Sequence, residues 1–311
     1  MIATDEQFIE AWKRLKSNTK IAKELGIGER AARTRRRNLE SRYGITLSID
    51  ESAVVVRHAA RAEFEIENGN FIVFSDAHFW DTTPSTAFRG LIHLIKKLKP
   101  KLIVNNGDAF DGASISRHGR IGFLEHKPTV VQELKACVEM LGQIEDVAGS
   151  AKLTWPLGNH DSRFETFLAA AAPQYEFVDG FHLKDHFPRW IPCWSTWING
   201  HTVIKHRYKG GIHATHNNTV GSGISMFTGH LHSAKVTPYT DYNGTRYGVD
   251  TGTLANIRGD QFMYLEDNPV NWRSGFAVGT LHNGELLPPE LVTVLNEDEG
   301  LICFRGEVIK V

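Results

Sequence analysis

The sequence has 311 residues, of which 41% are hydrophobic and 23% are charged, and its net charge is −1. These values are ordinary for a globular protein with a sizeable core, so they exclude a disordered, collagen-like or coiled-coil chain. No apolar run approaches the ~20 residues that a membrane helix needs, and the N-terminus lacks the apolar core of a signal peptide. We therefore expect a cytoplasmic protein that does not associate with membranes.

The charge is distributed unevenly along the chain. Residues 1–48 carry 11 Lys and Arg against 6 Asp and Glu, whereas the remainder carries 24 against 30. A basic segment followed by an acidic one indicates two units with different partners. We predict a helical head at 1–48, a connector at 49–69 and one larger domain at 70–311.

Apolar residues at helical spacing predict three helices in the head. The first covers 5–16 and the third covers 29–43. The second ends at Leu25, after an N-cap at Asn18 or Thr19. Glycines separate these helices and end the third one, as expected for helix C-termini.

Buried strands alternate with amphipathic helices in the next part of the chain, after short strands expected within 45–69. Strands are predicted at 71–76, 101–108 and 153–161, with helices at 85–99 and 128–148. This alternation predicts a layered α/β fold in which ligands bind at the carboxyl ends of the strands. After residue 200 the pattern becomes β, with a hairpin at 242–244, and the strands of 261–311 either extend a sheet or form a small lid.

Polar clusters rich in His, Asp and Asn follow several of these apolar strands. They are Asp76-Ala77-His78, the segment 107–112, the segment 158–161, Lys205-His206 and the segment 229–232. Two such side chains separated by one residue on an extended segment point the same way, so each pair can face one site. Imidazole, carboxylate and amide donors together favour Mn, Fe or Zn over Ca or Mg alone.

These clusters have the form D-x-H, GD-x-x-D, GNHD, a lone His and GH-x-H, in that order. The consecutive intervals in the series Asp76, Asp108, Asn159, His206 and His230 are 32, 51, 47 and 24 residues. In this respect residues ~70–260 resemble the calcineurin-like metallophosphoesterase superfamily. The resemblance implies an α/β fold, a two-sheet sandwich flanked by helices, here preceded by a small all-α head.

The resemblance also implies roles for individual residues around two divalent ions. Mn²⁺ is the expected metal, with Fe, Zn, Ni or Mg as alternatives. The implied metal ligands are Asp76, His78, Asp108, Asn159, His206, His230 and His232, with Asp108 shared by both ions. His160 matches the histidine that protonates the leaving oxygen, and Asp111 matches the acid that orients it. His206 is preferred over His201, His213 and His216 because it ends the apolar run TVIK, as the family motif does.

Such a site implies in-line hydrolysis of a phosphoester without a covalent enzyme intermediate, since two divalent ions clamp the phosphate and activate water. Two loops near the motifs carry further cations that could contact substrate phosphates. They are Arg117 and His118 after the second motif, and Arg207 and His213 after the fourth. The alternative is that these residues are solvated loop charges.

The head resembles helix-turn-helix DNA-binding units. The segment 20–27 matches the turn pattern, and the third helix places Arg30, Arg33 and Arg37 on one face. An arginine face of this kind suits contacts with DNA phosphates. Arg35 departs from the pattern because it falls where an apolar core residue is usual. The alternative is a small helical bundle with a solvated basic face, used for homo-oligomerisation or for packing on the larger domain.

Together the two units favour a DNA nuclease or phosphodiesterase guided by its head, in an arrangement that resembles bacteriophage and prophage proteins. GNHD is also found in the DNA exonucleases of the superfamily, whereas an Asp at position 111 is typical of its phosphomonoesterases and protein phosphatases. A phosphatase whose head contacts protein is therefore the second hypothesis. The third is a DNA-binding regulator whose larger domain senses metal or nucleotide without turnover.

Overall fold

The computed structural model describes residues 3–44, 47, 58–119, 126–176 and 178–311. The chain divides into two compact units, Met1–Arg57 and His58–Val311. The strands predicted around residues 54–56 lie outside the described residues. Within the described part, no helix has the length and apolar character that crossing a membrane requires.

The first unit is helical, with α1 (Asp5–Leu15), α2 (Asn18–Leu25) and α3 (Glu29–Tyr43). The Thr4 side chain caps α1, and Ser17 rather than the predicted Asn18 or Thr19 caps α2. Gly44 ends α3 with a φ of 61°. A small apolar core holds the three helices together, and its most buried large side chains are Phe8, Trp12, Ile21 and Leu39.

Arg35 lies at the edge of this core, at the position where the helix-turn-helix pattern has an apolar residue. Its guanidinium donates to the Ala3 carbonyl at 2.6 Å and to Asp5 Oδ1 at 3.0 Å. The same group lies 5.2 Å above the ring of Phe8. The charge of Arg35 is therefore paired at the start of α1 and is not buried without a partner. For this reason the small core tolerates an arginine at this position.

The second unit contains two sheets and four further α-helices among its described residues. The strands are β1 (Ala62–Phe64), β2 (Gly69–Phe74), β3 (Leu102–Asn105), β4 (Lys152–Pro156), β5 (Ile191–Cys193), β6 (Thr196–Ile198), β7 (Thr202–Ile204), β8 (Ser225–Thr228), β9 (Lys235–Asp241), β10 (Gly244–Asp250), β11 (Gly275–His282), β12 (Glu285–Leu286), β13 (Glu290–Asn296), β14 (Leu301–Phe304) and β15 (Glu307–Lys310). The helices are α4 (Thr86–Leu98), α5 (Val130–Val147), α6 (Asp161–Ala171) and α7 (Ala214–Ser222).

The larger sheet has the order β15-β14-β13-β11-β2-β3-β4-β5, with β12 beside β11. Its strands β2 to β5 are parallel, and β11 joins β2 in antiparallel fashion. The smaller sheet has the order β1-β6-β7-β8-β10-β9. The C-terminal strands β11 to β15 thus extend a sheet, which decides between the two alternatives that the sequence left open.

The two faces of β2 show how the layers are arranged. Ile72 and Phe74 belong to the core that packs against α4 and α5, whereas Phe71 and Val73 belong to the core between the two sheets. All four side chains are fully buried. The predicted two-sheet α/β sandwich flanked by helices is therefore confirmed.

Helix α7 was not predicted, because its sequence ATHNNTVGS has no apolar stripe. It packs on the smaller sheet through close backbone approach: a Cβ at Gly248 of β10 would lie 2.0 Å from the Thr215 carbonyl oxygen. Thr215 and Thr219 are buried in this contact. Small residues at a tight contact give no hydrophobic period, so the pattern after residue 200 indicated strands alone.

Candidate metal centre

The polar clusters meet at one edge of the larger sheet. Asp76, Asp108 and Asn159 each follow one of the neighbouring parallel strands β2, β3 and β4, whose carboxyl ends share that edge. The loops are joined directly, because Asp76 N donates to the Gly107 carbonyl and His78 N donates to the Asp108 carbonyl, both at 2.9 Å. The parallel register therefore brings together residues that are far apart in the sequence.

Among the described residues, three groups of acidic and imidazole side chains lie close enough to hold a metal at this edge. One is His78, Asp111 and His160, and we call the other two the Asp/His groups. In one, ligand atoms of Asp76, His78 and His232 lie within 4.8 Å of one another. In the other, the same is true of Asp108, His206 and His230. The histidines from the second half of the chain face the carboxylates closely: His232 Nε2 lies 3.1 Å from Asp76 Oδ1, and His206 Nε2 lies 3.0 Å from Asp108 Oδ2.

Several ligand atoms of this centre are buried without a hydrogen-bond partner in the described part of the chain. They include His78 Nε2 and Asn159 Oδ1; Asp76 Oδ1 and His206 Nε2 also make no hydrogen bond of good geometry, although each lies 3.0–3.1 Å from an atom of the facing motif. Buried polar atoms are costly when left unpaired, so such a cluster indicates a ligand. The other ring nitrogens are held: His206 Nδ1 contacts the Asn106 carbonyl at 2.7 Å, and His78 Nδ1 contacts Asp111 Oδ1 at 3.0 Å. Metal-binding histidines are oriented in this way, so these residues fit a pair of divalent ions.

The backbone is strained where these side chains are presented. Asp76, His78, Asp108, His230 and His232 all have a left-handed φ, between 43° and 71°. Each such residue costs on the order of 1–3 kcal/mol and persists only where the surroundings fix it. Five such residues in one centre indicate that the loops are shaped for a function rather than for stability.

The glycines of the motifs allow the loops to approach one another. A Cβ at Gly158 would lie 2.0 Å from Asp108 Oδ1, and one at Gly229 would lie 2.6 Å from Asp76 Oδ2. A Cβ at Gly107 would lie 2.6 Å from His206 Nδ1. Each glycine thus leaves room for a carboxylate or an imidazole of the neighbouring motif.

The electrostatics of the centre keep its carboxylates ionised. Burial opposes the charge of Asp108, but the facing His206 outweighs burial and lowers the pKa of Asp108 well below its usual value. In the same way, His232 and His206 lower the pKa of Asp76 to about 2 against the effect of burial. Burial disfavours the imidazolium of His206, yet Asp108 and Asp76 raise its pKa to about 10. The two anionic groups therefore attract positive charge into the centre.

Asp111 positions both His78 and His160. Its Oδ1 contacts His78 Nδ1 at 3.0 Å and also accepts a short hydrogen bond from His160 Nδ1, while Trp80 Nε1 donates to Oδ2 at 2.7 Å. His160 Nε2 lies 4.0 Å from Asp108 Oδ2 and 3.1 Å from Arg163 Nη2. Burial disfavours the charged ring, but Asp111 and Asp108 outweigh it and raise the pKa of His160.

Comparison with known proteins agrees with this geometry, because the family model for calcineurin-like phosphoesterases matches residues 69–260. The chain belongs to the calcineurin-like phosphoesterase family. It is also similar to the Gene 54 protein of Mycobacterium phage L5, with 28% identity over 250 residues that cover 72% of this chain and 92% of that protein.

Solved structures similar to this phosphoesterase include three with low sequence identity. A Vps29 single mutant from Entamoeba histolytica is 12% identical, with a TM-score of 0.40, over 78% of this chain and 99% of its own. A dimetal phosphatase from Danio rerio is 10% identical, with a TM-score of 0.38, over 73% and 96%. The E. coli phosphoesterase Yfce is 13% identical, with a TM-score of 0.33, over 71% and 97%.

Asp161, the last residue of the third motif, organises the loops of this phosphoesterase. Its buried carboxylate accepts five hydrogen bonds at 2.8–3.1 Å. The donors are the backbone N–H groups of Asp108, Ala109, Phe110 and Gly158 and the indole of Trp155. Asp161 thereby holds the second motif against the third.

The aromatic residues of the 253–274 segment were missed by sequence reasoning. The Trp272 ring lies 4.4 Å from the His232 ring, and Phe262 lies 5.6 Å from His78 and 5.8 Å from His232, all between ring centroids. These side chains line the metal centre from a part of the chain outside every recognised motif. Isolated aromatics in a loop carry no periodic signal, so nothing in the sequence pointed to them.

The predicted substrate contacts are divided between two places. Arg117 and His118 line a cleft beside His160 and Arg163. Arg207 directly follows His206 in the sequence, and its side chain is exposed.

The remaining histidines near the fourth motif lie outside the two Asp/His groups. His213 is exposed before α7. His201 Nε2 contacts the Gly284 carbonyl at 3.1 Å, and the His216 ring packs on Tyr239. The structure thus brings His206, and none of these three, into contact with Asp108.

Proposed function

We propose that this protein is a two-metal phosphodiesterase that hydrolyses DNA and uses its helical head to hold the DNA. The observation that carries the hydrolytic part is the pair of Asp/His groups beside His160. The observation that supports DNA as the substrate is the exposed arginine face of α3.

Under this proposal one ion would be held by Asp76, His78 and His232. The other would be held by Asn159, His206 and His230, and Asp108 would be shared. The two ions, Mn²⁺ in our proposal, would neutralise charge on the phosphate and activate the attacking water. The ions would take the place of the positive charge that the histidines now present to these carboxylates, because a histidine binds a metal as the neutral imidazole.

His160 would donate a proton to the leaving oxygen of the phosphodiester. Its Nδ1 is held by Asp111, so Nε2 is the nitrogen that would face the substrate, and the phosphate would replace Nε2 as the partner of Arg163 Nη2. The raised pKa of His160 keeps a proton available near neutral pH, which a general acid requires. Arg163 Nη2, 3.1 Å from the same nitrogen, would contact the phosphate alongside it.

The head would contact the DNA backbone through α3. Arg30, Arg33 and Arg37 are exposed and recur at the spacing of one helical face, with Thr34 and Asn38 exposed on the same side. Exposed arginines bind phosphates, and amide side chains hydrogen-bond to base edges. Because Arg35 is tied to Asp5 and Ala3, it belongs to the fold of the head rather than to this face.

The direct test is hydrolysis of end-labelled single- and double-stranded DNA by the full chain with Mn²⁺. We expect cleavage that EDTA abolishes and that the Asp108→Asn variant lacks. Replacing Arg30, Arg33 and Arg37 together by Ala should weaken DNA binding, whereas the matched loss of three exposed charges at Lys96, Lys97 and Lys310 should not.

A phosphomonoesterase is the second proposed function, because Asp111 stands at the position that is acidic in phosphatases and is placed here to orient His160. Turnover of p-nitrophenyl phosphate without any DNA cleavage would replace the nuclease proposal by this one. DNA binding without turnover of either substrate would instead favour the regulator.

A further inference from the structure

The cleft beside His160 has a volume of about 690 Å³. Pockets of roughly 300–1,000 Å³ are typical for small organic ligands, and a nucleotide falls in this range. Both His160 and Arg163 line the cleft, so it opens directly from the centre. A group whose oxygen takes the proton of His160 would therefore extend into it.

Of the residues that the structure describes, two aromatic ones line this cleft, Trp80 and Tyr264. The Trp80 indole is fixed by its hydrogen bond to Asp111. The Tyr264 ring makes edge contacts with the Phe262 and Trp272 rings, at 6.3 and 6.5 Å between ring centroids, and 51% of Tyr264 remains exposed. A supported aromatic ring with an open surface is what proteins use to stack nucleobases.

The polar lining of the cleft suits a phosphorylated ligand. Arg117 is exposed on the cleft and has no ion pair among the residues that the structure describes. Asp111 is the one acid among the described residues of the lining, and it is already engaged by His78 and His160. Gln261 adds an amide that can hydrogen-bond to a base edge.

A neighbouring cavity of about 310 Å³ provides the contrast. It shares Trp80 and Gln261 with the cleft, but its lining carries the acids Asp81, Asp260 and Glu297. Three carboxylates would repel a phosphorylated ligand. The charges therefore direct such a ligand to the side of Arg117 and His160.

We propose that the cleft is a nucleotide subsite, which binds the nucleoside on the leaving side of the scissile phosphate and stacks its base on Tyr264. This rests on the proposed phosphodiesterase function and adds to it the class of the leaving group. Arg117 would contact the next phosphate along the strand. The cleft thus makes the enzyme selective for nucleic acid over simple phosphoesters.

The test compares two ligands that differ only in the base, dAMP and 2-deoxyribose 5-phosphate. Their binding to the full chain with Mn²⁺ is measured by titration calorimetry. We expect dAMP to bind about tenfold or more tightly, since stacking of one base on an aromatic side chain contributes this much. Tyr264→Ala should remove the preference without changing the affinity for 2-deoxyribose 5-phosphate, and Tyr264→Phe should keep it.

Tyr242 supplies the matched control, because it is fully exposed between β9 and β10 and does not line the cleft. Tyr242→Ala should bind both ligands as the wild type does. Equal affinity of the wild type for the two ligands would overturn the proposal, as would a preference for dAMP that survives in Tyr264→Ala. DNA cleavage is measured separately. If the protein prefers dAMP but does not cleave DNA, the proposed nuclease function is rejected and the proposed nucleotide subsite is retained.

Discussion

The two units of this protein hold their charged residues in opposite ways. In the centre of the second unit the acids are buried and fixed, as Asp161 shows with its five hydrogen bonds and Asp76 with no exposed surface. On α3 of the first unit Arg30, Arg33 and Arg37 are exposed. Chemistry requires charges that are fixed before the substrate arrives, whereas contact with a polyanion requires charges that can still exchange their solvent.

This contrast has a consequence for how each unit responds to substitution. A change in the centre should act locally and strongly, because each group there has several partners. A substitution on α3 should reduce the affinity for DNA by a small amount, and the size of that reduction should depend on the salt concentration. The following experiments test that difference, from the largest expected effect to the smallest.

Asp108→Asn should give the largest effect. The substitution removes the anionic charge that we propose is shared by both ions, so we expect turnover to fall about a thousandfold or more, a loss of roughly 4 kcal/mol in transition-state stabilisation. Steady-state hydrolysis of DNA and of p-nitrophenyl phosphate measures it. The affinity for DNA at fixed salt should stay unchanged. A large loss of DNA binding would contradict the proposal that the first unit binds DNA and the second hydrolyses it.

Gly158→Ala should come next. The added methyl group would lie 2.0 Å from Asp108 Oδ1, so the carboxylate or the loop must move. Displacement of a reacting geometry by about 1 Å can cost on the order of 100-fold in rate. Gly142→Ala is the control: its Cβ meets no atom within 4 Å in the described part of the chain, and it lies inside α5. Turnover of Gly158→Ala equal to that of this control would show that the close approach is not needed.

Replacing Arg30, Arg33 and Arg37 by Ala should give a smaller, salt-dependent effect. Each phosphate contact that is lost should reduce the slope of log affinity against log salt by about 1. Fluorescence anisotropy with labelled duplex DNA at several salt concentrations measures the slope. Turnover of p-nitrophenyl phosphate should not change. An unchanged slope would favour the alternative of a bundle whose basic face is merely solvated.

Substitution of Glu133 should give the smallest effect, a change in the stability of the fold and in how that stability depends on pH. Its buried carboxylate accepts hydrogen bonds from Gly112 N at 3.1 Å and Ala113 N at 2.9 Å, and burial raises its pKa to about 8. A group whose pKa is raised in the folded state contributes stability that is present below pH 4.5 and is lost as the pH rises towards 8.

Glu133→Gln should therefore flatten the fall of Tm between pH 5 and pH 8 by a few degrees, since ~1 kcal/mol moves the Tm of a large domain by about 2–4 °C. Thermal unfolding at several pH values measures it. Glu139→Gln, exposed on the same helix, is the control and should leave the pH dependence as it is. Identical curves for the two variants would argue against a buried, proton-binding Glu133.

The metal centre was largely readable from the sequence because each of its residues comes directly after a strand. Asp76, Asp108 and Asn159 follow parallel strands, and parallel strands place their ends together whatever the intervening loops do. The proximity of His206 to Asp108 was expected from the family resemblance instead, because β7 belongs to the smaller sheet and is not a neighbour of these strands. The roles of these residues as ligands remain a prediction.

Other features could not be read from the sequence, for separate physical reasons. Helix α7 packs through the small residues Thr215, Thr219 and Gly248, which give no hydrophobic period. Tyr264 and Trp272 reach the centre from a long loop, and the path of a loop is set by tertiary contacts. Local sequence patterns predict the secondary structure of residues that are close in the chain. They do not predict these contacts, because the contacts join segments that are distant in the sequence.

The left-handed backbone of the centre determines which mutants can be interpreted. Asp, Asn and His tolerate that conformation better than most L-residues, and the strained positions Asp76, His78, Asp108, His230 and His232 are all Asp or His. An alanine scan would therefore remove a donor atom and distort a turn at the same time. Replacing these residues by asparagine changes the ligand atom in a residue type that tolerates the left-handed backbone. Asparagine variants are therefore the appropriate ones for testing this centre.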